Sequence, residues 1–278
     1  MRRLRKAICE RLCGVYTADE LKVIVRELCR NLPGIRDNDF YLDTTLPYDA
    51  ARESVLDGWL ERLAAGEPLQ YVLGFTDFFG LRIKCDRRAL IPRPETTELV
   101  EWILQEAHAQ GSLLDIGTGT GCIAIALARK LPGWQVSACD VSPDALELAA
   151  ENCRLNSAPV TLLQQDILDA RNGGHYDLIV SNPPYIAVSE SSAMERRVLD
   201  YEPHLALFVP DNDPLVFYRA IAGFGLEHLS RGGAIYLEIN PIYADAMVSM
   251  LAASGYGVEV RKDIHGRQRM IKAFTYDN

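Results

Sequence analysis

The 278-residue chain has no apolar run approaching the ~18 residues that a membrane-spanning helix needs, so no segment is read as crossing a bilayer. Its basic start, Met1-Arg-Arg-Leu-Arg-Lys, soon meets Glu10 and Arg11 and lacks the apolar core of a signal peptide. That start reads as the first turns of an amphipathic helix, and the expected location is the cytoplasm. Positive charge is also in short supply: 29 Lys and Arg face 38 Asp and Glu, for a formal net charge of -9. A surface that grips phosphate backbones is normally basic, so no direct nucleic-acid partner is expected and a protein or small-molecule acceptor is favoured. The seven cysteines, at 9, 13, 29, 85, 122, 139 and 153, form no C-x-x-C pair. Cys9 and Cys13 stand four apart on one helix, a spacing a metal could use. An odd set scattered through apolar stretches reads instead as buried, reduced thiols, and no metal is expected. Internal repeats and low-complexity tracts are absent.

What is present falls into three parts. Residues 1–74 carry helical periodicity and are expected to form a small all-α domain. Thr17-Ala-Asp-Glu offers an N-cap with an acidic first turn, ahead of an apolar stripe of Leu21, Val23, Ile24 and Leu28. Asp49 to Leu63 reads as another amphipathic helix. Residues 75–92 change character: Phe75-Thr-Asp-Phe-Phe-Gly-Leu-Arg-Ile-Lys-Cys alternates around a turn and predicts a β-hairpin linker. Residues 93–278 begin with a helix near Pro94 and then alternate strand and helix. Strands are predicted near 112–116, 135–139, 160–164, 176–181, 233–239, 256–261 and 268–275, and helices over 121–131, 143–156, 214–229 and 242–253. Such alternation implies a Rossmann-like α/β domain, a mostly parallel sheet with helices on both faces, whose ligands sit at the carboxyl ends of the strands.

The first of those strands runs into Gly117-Thr-Gly-Thr-Gly121. Three glycines at alternate positions let the backbone turn sharply and approach a ligand with no Cβ in the way. A nicotinamide dinucleotide would use G-x-G-x-x-G, whose third glycine would fall at position 122, which is Cys. Asp115, two residues before the turn, would repel a pyrophosphate and suits an ammonium group, as on the methionine part of S-adenosyl-L-methionine. Asp140 ends the second strand, where a carboxylate accepts from both ribose hydroxyls. Asp166 follows the third, placed for an adenine amino group, with Ile167 against the ring. Gly117 through Gly121, including Thr118, Gly119 and Thr120, thus join Asp115, Asp140, Asp166 and Ile167 as the expected cofactor site. A lone strand-end Asp is usually a helix cap; three after successive strands point to a nucleoside-bearing ligand.

The fourth strand, Tyr176-Asp-Leu-Ile-Val-Ser, ends in Asn182-Pro-Pro-Tyr185. Two consecutive prolines fix the backbone and remove two N–H donors. Acceptors remain: the Asn182 side-chain oxygen and the Pro183 carbonyl. They suit an incoming –NH2 group, whose two hydrogens they can hold while its lone pair is aimed at a methyl donor. Tyr185 offers a flat face for a planar amide or base. An amide or aromatic amine is a poor nucleophile, so positioning and hydrogen-bond polarisation carry the catalysis, and the motif holds no base that titrates near neutrality. The bland alternative, a Pro-rich turn started by Asn, fits the motif alone but not its place at this strand end.

With Pro68-Leu-Gln-Tyr-Val-Leu-Gly74, Leu90-Ile-Pro-Arg-Pro-Glu-Thr96, Val180-Ser-Asn-Pro-Pro-Tyr-Ile186 and Tyr201-Glu-Pro-His-Leu-Ala-Leu-Phe208, nearly the whole chain resembles the peptide-chain release factor glutamine methyltransferase family, HemK/PrmC. The resemblance implies a class I S-adenosylmethionine-dependent methyltransferase core with a seven-stranded mixed sheet. It implies methyl transfer to the side-chain nitrogen of the glutamine in a Gly-Gly-Gln loop of class 1 release factors, which the helical domain would hold. By the same implication Gly117–Gly121, Asp140 and Asn182 bind cofactor, while Asn182, Pro183, Pro184 and Tyr185 bind the glutamine amide; the enzyme is expected to be a monomer. Ile167 stands where relatives carry an aromatic contact to adenine. The pattern departs at Val209-Pro-Asp-Asn-Asp-Pro214, where relatives have a glycine-rich turn, and at Glu238-Ile-Asn240, where they have Glu-Ile-Gly. A ribosomal-protein glutamine methyltransferase shares the Asn-Pro-Pro-Tyr chemistry. An adenine-N6 methyltransferase of nucleic acid would need a basic groove, for which Arg261 to Arg269 is the one candidate stretch.

Overall fold

The computed structural model describes residues 1–45, 49–170 and 173–276. The chain divides into two compact units: Met1–Phe75 with Arg196–Tyr201, and Thr76–Glu195 with Glu202–Asn278. In the first, helices Arg2–Leu12, Ala18–Asn31, Asp37–Tyr41, Ala50–Ala64 and Leu69–Leu73 enclose a core that includes Ile8, Leu12, Leu28 and Leu63, all fully buried. Thr17 caps the second helix in a reciprocal box. Its hydroxyl accepts from Glu20 N, and the Glu20 carboxylate accepts from Thr17 N at 2.7 Å. Asp49 likewise caps the fourth through Ala51 N and Arg52 N. The helix Arg196–Tyr201 was not foreseen: six residues are too few for a period to show. Its Arg197 lies 4.4 Å over the Tyr16 ring and pairs with Glu20 at 2.9 Å.

The second unit holds the expected seven-stranded mixed sheet. Its spatial order is Gly257–Lys262, Gln268–Phe274, Leu229–Glu238, Tyr176–Ser181, Gly111–Ile116, Trp134–Asp140 and Val160–Gln164. Gln268–Phe274 runs antiparallel to both neighbours, and the other pairings are parallel. Helix Cys122–Lys130 and Trp102 of helix Thr96–Glu106 belong to one core, while helices Val216–His228 and Ala244–Ala253 belong to a second. The chain builds outward from Gly111–Ile116 through two strands, then returns to place Tyr176–Ser181 on the other side. This reversal of order opens a crevice at the strands' carboxyl ends, where ligands of such sheets bind.

Strand boundaries fall within a residue or two of those predicted, with one exception. Leu229–Glu238 starts four residues early, because the strand runs on through Ser230-Arg-Gly-Gly, a sequence that reads as a turn. The helix expected over 242–253 is divided. A 3-10 turn, Pro241–Tyr243, comes first, capped by the Asn240 side chain accepting from Ile242 N at 3.1 Å. The hairpin forms as Phe75–Phe78 and Leu81–Lys84, with Phe79 and Gly80 at positive φ between them. From Thr76 on it belongs to the second unit and is not a free linker: Lys84 N donates to Asn152 Oδ1 at 2.7 Å, and Asn152 Nδ2 returns a bond to Lys84 O. All seven cysteines are unbridged thiols. Cys9 and Cys13 are exposed rather than buried, correcting the expectation for those two.

Candidate active site

The glycine loop takes the conformation its sequence demands. Gly117, Gly119 and Gly121 have φ of 69°, 55° and 82°, the left-handed region that glycine enters without strain. Its amides turn inward. Gly117 N and Thr118 N donate to Cys139 O at 2.9 and 3.0 Å, and Gly119 N donates to Asp140 Oδ2 at 2.9 Å. A loop that cradles phosphate presents those groups to the ligand; this one uses them to fasten itself to the next strand.

Beside the loop lies a cavity of about 230 Å³. Gly117, Thr118, Gly119 and Thr120 line it, as do Asp140, Asp166, Ile167, Asn182, Pro183 and Pro184, so ten of the predicted residues converge on one space. Its two lining cations are already engaged: Arg93 pairs with Glu202 at 2.7 Å, and Arg88 pairs with Asp86 and Glu151 at 2.7 and 3.0 Å. Burial raises the Asp140 carboxyl above its ordinary range, against the pull of the amides of Ser142, Gly119 and Val141. Asp166 Oδ1 accepts from Leu168 N at 2.9 Å, which holds the turn that carries Ile167.

Three predicted residues stand elsewhere. Gly121 is outside the lining and caps the helix behind it, where a Cβ would come 3.1 Å from Ile125 Cδ1 and 3.2 Å from the Ala149 Cβ. Asp115 is fully buried beneath the loop. Its Oδ2 accepts from Thr118 Oγ1 at 2.6 Å and from Ala124 N at 3.2 Å, so it satisfies an amide in the first turn of helix Cys122–Lys130. Burial lifts its pKa to about 7, and its Oδ1 has no hydrogen-bond partner. Tyr185 also lies outside the lining. Its hydroxyl donates to Glu238 Oε1 at 3.3 Å, its carbonyl accepts from Asn240 Nδ2 at 3.3 Å, and its ring packs against the second core. The Asn240 side chain thus makes bonds that a glycine at this position could not.

Sequence reasoning missed the residues that hold the site in shape. Glu202 is 4 % exposed; its carboxylate accepts from Ile91 N at 3.1 Å and from Arg93, joining the Ile-Pro-Arg segment to the Tyr-Glu-Pro-His segment. Glu238, 2 % exposed, accepts from Thr96 Oγ1 at 2.6 Å, and Thr96 Oγ1 in turn accepts from Asn182 Nδ2 at 3.3 Å. The quoted segments contained all of these residues, but nothing local assigns them a partner. Among the described residues no group of three or more His, Cys, Asp or Glu is placed to hold a metal, and no helix is long and apolar enough to cross a membrane.

Two family models match the chain: the PrmC N-terminal domain over residues 4–74 and the methyltransferase small domain over residues 95–202. The release factor glutamine methyltransferase of Bacteroides thetaiotaomicron is 42 % identical over 98 % of this chain and 99 % of its own. That of Flavobacterium psychrophilum is 40 % identical over 96 % of each. Among solved structures, a methyltransferase from Pyrococcus furiosus superposes with a TM-score of 0.55 at 19 % identity, covering 81 % of this chain and 98 % of that one, a likeness of fold.

Proposed function

The chain belongs to the release factor glutamine methyltransferase family, and from that premise we propose that it methylates the side-chain nitrogen of the glutamine in the Gly-Gly-Gln loop of class 1 release factors, with S-adenosyl-L-methionine as donor. The observation that carries the reading is a juxtaposition. Asn182-Pro-Pro184, rich in acceptors and poor in donors, lines the same cavity as the glycine loop and Asp140. The residues fit the cofactor. Gly117 and Gly119 present no side chain, and the two cations that line the cavity are paired with carboxylates and do not call for a phosphate. Asp140 would hold ribose hydroxyls; Asp166 and Ile167 would hold the adenine.

When bound, S-adenosyl-L-methionine supplies an activated methyl group on its sulfonium. The protein's part is to present the nucleophile. The Asn182 side-chain oxygen and the Pro183 carbonyl accept the two N–H bonds of the substrate amide, which draws electron density onto nitrogen and directs its lone pair into the cavity. The nitrogen would gain the methyl carbon as its bond to the sulfonium sulfur breaks, and the proton the nitrogen sheds would pass to water. No base is needed at the nitrogen itself, in keeping with an Asn182 side chain that is linked to the Glu238 carboxylate through the Thr96 hydroxyl and not directly. The helical unit would hold the release factor, in the cytoplasm. Against a nucleic-acid acceptor, two of the four Lys and Arg charges of the basic stretch are engaged within the protein: Arg261 pairs with Glu106 and lies 4.1 Å over Trp102, and Arg269 pairs with Asp263.

Labelled methyl transfer to a purified class 1 release factor tests the reading, with the Gly-Gly-Gln glutamine changed to alanine as control. Label on the unaltered factor alone is expected; equal label on both would overturn the assigned acceptor.

A further inference from the structure

We propose that Thr96 and Glu238 form a positioning relay that fixes which way the Asn182 side-chain amide faces, so that its oxygen and not its –NH2 group meets the substrate amide. The inference rests on the reading of Asn182 as acceptor for that amide, and it concerns residues to which no role in the reaction has been assigned.

An asparagine amide presents an oxygen on one side and an –NH2 on the other, and only its hydrogen-bond partners distinguish them. In a site that must accept two N–H bonds, the wrong orientation would set –NH2 against –NH2 and turn attraction into repulsion. Something must choose. The choice follows from counting protons. A hydroxyl has one proton to donate and lone pairs to accept with. Thr96 spends its proton on Glu238 Oε2 at 2.6 Å, a charge-assisted distance, so toward Asn182 its oxygen only accepts. The Asn182 atom 3.3 Å away must therefore be Nδ2, which leaves Oδ1 for the cavity.

The far end of the relay is fixed as firmly. Glu238 is 2 % exposed and takes a second hydroxyl proton, that of Tyr185, on Oε1 at 3.3 Å. Burial raises the Glu238 carboxyl above its ordinary range, and the two hydroxyl donors and the nearby Arg269 pull the other way, toward the ionised form. The Glu238 backbone is held as well, its carbonyl accepting from Tyr218 OH at 3.1 Å. Thr96, 2 % exposed at the first turn of helix Thr96–Glu106, cannot turn to water for another partner. Three separated segments, Ile-Pro-Arg-Pro-Glu-Thr96, Asn182-Pro-Pro-Tyr185 and Glu238-Ile-Asn240, thus close on one set of hydrogen bonds. Tyr185 acquires a place in the same scheme as a donor to the relay.

The test compares Thr96→Val, which keeps the shape and removes the hydroxyl, with Thr96→Ser, which keeps the hydroxyl. Thr96→Val should lower kcat for methyl transfer to the release factor by about tenfold to a hundredfold, the scale of a misaligned reacting group, with KM and cofactor affinity little changed. Thr96→Ser should restore turnover. The second readout needs no turnover: the side-chain amide resonances of Asn182 in selectively labelled full-length protein. One Asn182 amide proton should be hydrogen-bonded and slow to exchange in the wild type and in Thr96→Ser, and should lose that protection in Thr96→Val. Wild-type kcat in Thr96→Val, equal losses in both variants, or an Asn182 amide unaffected by Thr96→Val would each overturn the relay. If the wild type fails to label the release factor, the acceptor reading falls and the resonances alone decide the relay.

Discussion

Two loops leave adjacent strands of one sheet at the same end, and they are built from opposite chemistry. The loop after Gly111–Ile116 is made of glycine and threonine. It keeps its N–H groups but commits three of them to Cys139 O and the Asp140 carboxylate, and the space left by missing side chains is what it offers a ligand. The loop after Tyr176–Ser181 has two prolines and so lacks two donors; it offers acceptors, and Asn182 is aimed from behind by a second layer of buried polar groups. A loop that makes room needs backbone freedom, whereas a loop that makes directed contacts needs stiffness and a supporting shell. Binding is expected to fail at the first loop and catalysis at the second.

The largest effect that would break this division is at Asn182. Asn182→Ala should cut kcat by on the order of 10²–10³-fold, the cost of removing one preorganised hydrogen-bonding group, as read by labelled methyl transfer. A variant that lost cofactor binding in proportion would show that the two loops are not separate in function. Next comes Asp140→Ala, which loses ribose contacts and frees Gly119 N. Cofactor affinity should fall by about 1–3 kcal/mol, with turnover at saturating cofactor largely kept, as measured by calorimetry beside kinetics. A kcat loss at saturation would move Asp140 into the chemistry.

The smallest effect concerns what lies beneath the glycine loop. Because Asp115 titrates at about 7 in the folded chain against an ordinary 3.8, the folded state binds more protons than the unfolded one between those values. Ionised Asp115 therefore costs stability that grows as pH rises through that window and is fully present above it. Asp115→Asn removes the cost, so the Tm of the variant should gain on the wild type from about pH 4 to about pH 7 and hold its lead at higher pH. A Tm difference independent of pH would show that Asp115 is ionised throughout, or neutral throughout.

How far the sequence could be read follows the same contrast. Strand alternation, the glycine spacing and the paired prolines are local signals, and the elements and both loops emerged from them nearly in place. What was not legible is which partner each polar side chain meets. A strand-end carboxylate such as Asp115 looks the same in sequence whether it faces a cavity or accepts from the next helix, as Asp115 does from Ala124 N. Nothing near Tyr185 reveals that its hydroxyl reaches Glu238, 53 residues on. Thr96 and Glu238 were visible only as letters in familiar segments; the bond between them spans 142 residues. A single sequence shows what a side chain can do and only rarely which partner it meets.

The central claim is that the methyl group lands on an amide nitrogen held by Asn182, and its most direct test is the chemistry of the product. A class 1 release factor treated with the enzyme and S-adenosyl-L-methionine would be digested, the peptide carrying the Gly-Gly-Gln loop sequenced by mass spectrometry, and the same peptide hydrolysed. A peptide one methyl heavier at glutamine that releases methylamine on hydrolysis is the predicted result. A methyl group on any other residue, or a methylated glutamine that releases ammonia and methanol, would contradict it.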